Sequence, residues 1–217
     1  MMEAKFAIIN RAIPGSGKST ITRRLAEWFL GRSFSLKVHS TDDFFMEGNR
    51  YKFDLAKLGQ NHRENLCDFK ESLAESTNFV VCDNTNLAPW ETKPYTDLAR
   101  EYGYRIVFLN FLPRELAKHI ESQKVSRERP DAHQVPAEQL KLFYETFLEY
   151  NSLLDKDAKL DPARHRNYEW DFSGNQKTDL GPLKFKFDLD NCISISPGDY
   201  RTLKEDISPL AERILES

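Results

Sequence analysis

Ile8-Ile9-Asn10-Arg11-Ala12-Ile13-Pro14-Gly15-Ser16-Gly17-Lys18-Ser19-Thr20 is the stretch on which the reading of this chain turns. The apolar run Phe6 to Ile9 leading into it reads as a buried strand, and Ile21, Leu25, Trp28 and Phe29 after it recur at helical spacing. Strand, glycine-rich turn, Lys-Ser-Thr and helix form the context that a phosphate-binding P-loop needs. Such a loop wraps backbone N–H groups around an anion, and Gly15 and Gly17 supply the backbone freedom and the close approach. The helix that begins near Lys18 aims its positive dipole end and its unpaired N–H groups at the same place. Pro14, Gly15, Ser16, Gly17, Lys18, Ser19 and Thr20 are therefore the expected nucleotide-binding residues. Lys18 is expected on the β/γ-phosphates, Ser19 on Mg²⁺, and Thr20 on the α- or β-phosphate of ATP. Ala12 stands where the pattern G-x-x-x-x-G-K-[ST] has its first glycine.

The chain has 217 residues, of which 40% are hydrophobic and 30% charged, enough for one sizeable core with room for an appended subdomain. A net charge of −3 excludes a protein that is attracted to nucleic acid by its overall field, though not a local basic groove. No apolar run approaches the roughly 20 residues of a membrane span, so no membrane partner is expected. The N-terminus runs straight into the first strand, which reads as a chain without a signal peptide. Cys67, Cys82 and Cys192 are scattered without metal or disulfide spacing and suit a reducing, cytoplasmic location.

Farther along, Ser35–Ser40 reads as a second strand and residues 54–76 as a helix. Phe79–Cys82 reads as a third strand, a helix opened by Pro89 and ended by Gly103 follows, and Ile106–Phe111 is the fourth strand. A helix from Arg114 to about Lys124, a polar segment near 124–135 and an amphipathic helix opened by Pro136 complete the region of the P-loop, 1–155. Strands alternating with helices imply an α/β fold of the P-loop NTPase type, a parallel sheet with helices on both faces, whose strand ends share one ligand-binding rim. Residues 156–217 form a C-terminal extension. In it, Lys156–Lys177 reads as loop-rich and Lys184–Leu189 as a strand turning at Asp190-Asn191. A helix follows that Asp199 caps and Pro209 kinks or restarts. The extension either adds to the core or makes a small lobe.

Three further places carry chemistry. Asp42 and Asp43 follow the second strand on the P-loop rim, where a carboxylate can take a proton from an acceptor hydroxyl; the residues alone do not separate the two. Asp83 ends an apolar strand, as an acid that holds Mg²⁺ or its waters beside Ser19 does. Thr85 and Asn86 follow it as candidate substrate contacts. Arg127 and Arg129 lie in the polar segment, where a mobile arginine can stabilise charge on a transferring phosphoryl group. His62 and His119 read as structural.

Together these pieces resemble the P-loop kinase domain of the phage-type 5′-hydroxyl polynucleotide kinases and their ATP-binding relatives. The resemblance rests on Pro14–Thr20, Thr41-Asp42-Asp43, Asp83-Asn84-Thr85-Asn86-Leu87, Leu98–Tyr104, and Val135-Pro136 with Leu140 and Tyr144, over about residues 4 to 150. It implies ATP and Mg²⁺ as cofactors, a polynucleotide 5′-OH as acceptor, Asp42 as the general base, and a lid arginine at Arg127 or Arg129. The family's arginine two residues after the Asp pair, which binds the acceptor phosphate, is replaced here by Phe45, leaving Arg50 or a residue of the extension to substitute. Asp43, Phe45, Arg50, Thr85 and Asn86 are thus the expected acceptor contacts, with Phe45 stacking on a terminal base. The alternatives are a small-molecule or zeta-toxin-like nucleotide-sugar kinase, and a non-catalytic nucleotide-binding regulatory module. The partners are ATP and a hydroxyl-bearing acceptor, which on the leading reading is a single-stranded nucleic-acid end. No oligomeric state can be read from the sequence.

The loop reading generates a direct test. Lys18→Ala should lower turnover by about 10²–10³, the scale for removing one transition-state donor. Titration calorimetry with Mg²⁺–ATP that does not distinguish this variant from wild type would refute the assignment.

Overall fold

The computed structural model describes residues 4–126, 135–155, 157–171, 176–187 and 191–217. In chain order, β1 (Phe6–Arg11) leads through the glycine loop into α1 (Lys18–Leu30), and β2 (Leu36–His39) runs into a single helical turn, Thr41–Phe45. Two short strands, β3 (Met46–Glu47) and β4 (Arg50–Tyr51), pair antiparallel. Then come α2 (Leu58–Ala74), β5 (Phe79–Cys82), α3 (Pro89–Glu101), β6 (Arg105–Phe111), α4 (Leu116–Ser126) and α5 (Ala137–Asn151). An antiparallel hairpin follows, β7 (Arg166–Asp171) and β8 (Gln176–Pro182), and the chain closes with β9 (Cys192–Ile195), α6 (Pro197–Glu205) and α7 (Ser208–Glu216).

The main sheet has five strands in the order β2-β5-β1-β6-β9, all parallel. β1 sits in the middle and is buried along its whole length. Its alternate residues serve opposite faces, as a strand of period two requires. Phe6 and Ile8 join Leu25 and Phe29 of α1 in one core, and Ala7 and Ile9 join Phe69 of α2 and Tyr95 of α3 in the other. Parallel pairing forces the strand connections to cross over the sheet, which lays helices on both faces and brings all the strand C-termini to one rim.

The region after residue 155 takes the first of its two expected courses over residues 192–217. β9 pairs with β6 in parallel register, Phe108 to Cys192 through Phe111 to Ile195, and Leu203, Leu210 and Ile214 of the last two helices pack into the α1 core. Ser196 caps α6, its hydroxyl accepting from the Asp199 N–H while the Asp199 carboxylate accepts from the Ser196 N–H. Pro209 stands in the first turn of α7, so it restarts the helix rather than kinking one.

Three expectations need correction. The stretch read as loop-rich holds β7 and the first residues of β8, and the residues of β8 are nearly all exposed and so lack an apolar face to betray a strand. Residues 183–187 form no strand; Leu183 and Phe187 instead bury themselves individually in the second core, which produces alternation without sheet bonding. The helix expected over 54–76 is broken at its start into a separate turn, because the Asp54 carboxylate accepts from the Ala56 N–H and caps Leu55–Lys57. Residues 188–190, the end of that expected strand and the first residue of its turn, lie outside the described residues. No described helix is long and apolar enough to cross a membrane.

The end of β1 carries a fully buried arginine. Arg11 donates to the carbonyls of Leu87 (3.0 and 3.2 Å) and Phe147 (2.9 Å) and to the side-chain oxygens of Asn110 (2.8 Å) and Asn151 (3.1 Å). Its plane lies 4.0 Å from the centroid of Phe147 and 5.0 Å from that of Phe187. Burial pushes the guanidinium down to about 9 against the opposing pull of Glu91 and Cys192, so it stays charged at neutral pH. Arg11→Ala strands several buried acceptors at once and should cost about 3–5 kcal/mol of stability in urea unfolding. A loss below about 1 kcal/mol would show that the surrounding carbonyls find other partners.

Candidate nucleotide and acceptor site

Gly15 (φ 79°) and Gly17 (φ 87°) both adopt the left-handed backbone that the loop requires. Gly17 has a second reason to be glycine. A Cβ there would lie 2.3 Å from the Tyr200 ring of α6, so a residue close to the chain's end packs directly on the loop. Gly17 also starts α1, its carbonyl accepting from the Thr20 and Ile21 N–H groups. The missing first glycine does no harm, because the Ala12 methyl is buried in the α1 core.

Behind the loop, Lys18 and Asp83 meet. The Lys18 ammonium donates to the Asp83 carbonyl (2.7 Å) and stands 3.3 Å from its carboxylate, with both side chains largely buried. Asn10, which sequence reasoning did not single out, donates to the same carboxylate and to the Thr22 hydroxyl, 2.7 Å each. Ser19 is exposed at the helix start, and its hydroxyl lies 3.5 Å from the Lys18 ammonium. The Ser16 hydroxyl is buried in the loop without a hydrogen-bond partner among the described residues. A left-handed glycine loop at a helix N-terminus, an unsatisfied loop hydroxyl and a lysine beside it fit a polyphosphate. The hard oxygens of Ser19 and Asp83 fit Mg²⁺.

The acidic turn is tied to this centre through the backbone. The Thr41 N–H donates to the Asn84 side chain (2.9 Å), and the Asn84 amide donates to the Tyr95 hydroxyl (3.1 Å), which also accepts from Asn65 (2.9 Å). Asp42 is half-buried and accepts from the Tyr51 hydroxyl (3.0 Å); Asp43 is exposed. Burial, and then Asp42, hold the Tyr51 phenol well above its ordinary range. His62 reaches Thr41, ring nitrogen to hydroxyl 3.1 Å, and burial lowers it despite the field of Asp42. Its apolar-face position therefore carries a polar contact to the turn.

Two expected acceptor contacts are turned inward. Phe45 is 3% exposed, its ring 6.0 Å from that of Tyr51 and 5.1 Å from that of Phe53, which leaves no face for a base. Asn86 is buried, and its amide donates to the Asn10 carbonyl (2.7 Å), so it holds β1 instead. Thr85 is half-buried with its carbonyl bound to the Ala12 N–H, while Arg50 is exposed at the start of β4. Arg127 and Arg129, with most of the expected lid, lie outside the described residues.

Another arginine does touch the loop. Arg114 donates to the Gly15 carbonyl (3.3 Å) and to the Ser122 hydroxyl (3.2 Å), and its own N–H donates to His119 (3.0 Å). Only its position just past a buried strand hinted at this. Burial, reinforced by Arg114, pushes His119 down to about 4, so the imidazole is neutral and accepts.

Residues 13–149, more than half the chain, match the family described as AAA domain. Over 130 residues the sequence is 35% identical to NEDD4-binding protein 2 of Homo sapiens; the match takes in 55% of this chain and 7% of that far longer protein. Among solved structures, the chain is similar to a candidate kinase from Chloroflexus aurantiacus j-10-fl, with 14% identity and a TM-score of 0.57 over 100% of this chain and 97% of that one. It is also similar to Kti12 of Chaetomium thermophilum in complex with ADP-AlF3, with 11% identity and a TM-score of 0.53 over 94% and 97% of the two chains. The fold is of the P-loop NTPase type, and these structures share it.

The His119 environment has a pH consequence. A histidine held near 4 when folded and 6.5 when unfolded is protonated first in the unfolded chain. Its contribution is complete above the unfolded value and is lost as pH falls from 6.5 toward 4. His119→Gln keeps an acceptor for the Arg114 N–H and should flatten part of the fall in the urea midpoint across that window. Parallel wild-type and variant profiles would count against it.

Proposed function

This chain belongs to the AAA-domain family, and on that premise we propose that it is an ATP-dependent phosphotransferase that moves the γ-phosphate to a hydroxyl, with a polynucleotide 5′-OH as the acceptor. The observation that carries the reading is the joining of two functional pieces. The turn bearing Asp42 is bonded through Thr41 to Asn84, the residue after Asp83, and Asp83 is bonded to Lys18.

Each residue then has a task. The glycine loop and Lys18 hold the triphosphate, Lys18 moving with the charge as it develops on the γ-phosphate. Ser19 and Asp83 are the residues that would hold Mg²⁺, which supplies charge neutralisation when bound. Asp42 accepts the proton of the attacking hydroxyl, its carboxylate oriented by Tyr51. Arg114 already lies against the loop and adds positive charge at its edge; Arg127 and Arg129 are proposed for closure over the phosphates. The presence of Lys18, Ser19, Asp42 and Asp83 together favours turnover over a purely regulatory nucleotide-binding module.

Asp42→Asn keeps the shape and removes the proton acceptor, so kcat should fall by roughly 10²–10⁴ with ATP binding nearly unchanged. Asp43→Asn should cost less, consistent with its exposed position. The measurement is labelled-phosphate transfer from ATP to 5′-OH RNA, 5′-OH DNA and a panel of small alcohols. Transfer confined to a small metabolite would replace the polynucleotide acceptor with a small-molecule one. Full activity of Asp42→Asn on every acceptor would remove Asp42 as the base.

A further inference from the structure

The connection between β4 and α2 leaves an unusual surface beside the acidic turn. Phe53 is 56% exposed and Leu55 61% exposed, and among the described residues Phe53 is the only aromatic side chain among the exposed large hydrophobics. Water contact over so much of an aromatic ring is unfavourable unless something covers it in use. The ring does not dangle. Its inner side packs 5.1 Å from Phe45 at 42°, and Phe45 in turn packs 6.0 Å from Tyr51, whose hydroxyl is bonded to Asp42. The backbone fixes the same arrangement, the Lys52 N–H donating to the Phe45 carbonyl (2.9 Å). Three side-chain contacts thus lead from an exposed aromatic face to the proposed base, and buried neighbours hold that face in place.

The balance of charge around it is positive. Lys52 is paired with Glu47, and Asp54, an anion whose carboxylate caps its own turn, is outnumbered by the two cations that remain. Arg50 and Lys57, both exposed, make no ion pair among the described residues. A preorganised aromatic face flanked by cations matches the unstacked end of a single-stranded nucleic acid, in which a base offers its π face and the backbone its phosphates. A small polar alcohol needs neither feature.

We propose that Phe53 is the platform on which the 5′-terminal base of the nucleic-acid acceptor stacks, with Arg50 and Lys57 beside its phosphates. The inference rests on the acceptor reading above and takes over the role that Phe45, being buried, does not fill. It also accounts for a site that binds an acceptor without the family's arginine after the Asp pair: part of the affinity is moved from a phosphate contact to a stacked ring.

The test uses the full chain and fluorescence anisotropy with a labelled 5′-OH single-stranded oligonucleotide, with phosphate transfer followed in parallel. Phe53→Ala should weaken binding roughly five- to hundredfold, the range for one lost stacking contact, while Phe53→Trp stays within about twofold of wild type on the same physical ground. An oligonucleotide whose 5′-terminal nucleotide is abasic should bind wild type as weakly as the intact one binds Phe53→Ala, and the variant should lose nothing further on it. Lys57→Ala should lower the salt slope of binding by about 1. The platform is overturned if wild type binds no oligonucleotide, if Phe53→Ala binds normally, or if its loss persists in full on the abasic end. Phe53-dependent binding without phosphate transfer would leave the platform standing and refute the kinase reading. Phosphate transfer with normal binding by Phe53→Ala would do the reverse.

Discussion

The guanidinium of Arg11 is the point to which the rest of this molecule is anchored. It ends the central strand one residue before the loop begins, and it reaches the segment after β5, the last turns of α5 and the end of β6 in a single cluster of hydrogen bonds. A charge taken wholly out of water is costly unless its donors are matched, and here carbonyls, two asparagines and two aromatic faces do the matching. The geometry is planar and forked, so lysine does not reproduce it. The consequence reaches the site: the start of the glycine loop is held by contacts on three sides before any ligand arrives.

From that fixed strand end the candidate functional groups divide into two sets. One lies on the loop and its near neighbours: Lys18 and Ser19, Asp83 with Asn10 behind it, and Arg114 against Gly15. The other lies on the connection between β2 and α2, from Asp42 to Phe53. The sets are joined by the Thr41–Asn84 bond. Because Asn84 also belongs to a buried amide–phenol network with Tyr95 and Asn65, that joint is braced from the core rather than left to a flexible loop. On the proposed reading, rigid placement of the base relative to the phosphate is what the transfer needs, since little covalent chemistry is left for the protein to do.

The electrostatics follow the same logic. Lys18 and Asp83 share a partly enclosed space where attraction is stronger than in water, and each holds the other in a reachable position. His119 is kept neutral behind the loop, so it braces Arg114 as an acceptor without adding a competing positive charge. On the outer surface the balance reverses, and Arg50 and Lys57 leave a small cationic margin around Phe53 on a chain whose net charge is −3.

The sequence by itself determined the local pieces. A continuous apolar run is readable as a strand buried on both faces, and the glycines before Lys-Ser-Thr announce a left-handed turn at a helix start, because both signals depend on neighbours a few residues away. The same holds for Asp42 and Asp83 at strand ends. What only the tertiary structure decided depends on pairs far apart in the chain: Tyr200 on Gly17, β9 beside β6, Arg11 among four segments, and Arg114 on the loop carbonyl. Phe45 and Asn86 show why the local signal runs out. Both stand in strings that look like ligand contacts, yet one ring completes an aromatic cluster and the other amide ties down β1. Spacing along a chain specifies which face a residue occupies within its own element. Whether that face meets solvent, substrate or another element is set only when the sheet closes and its connections pack.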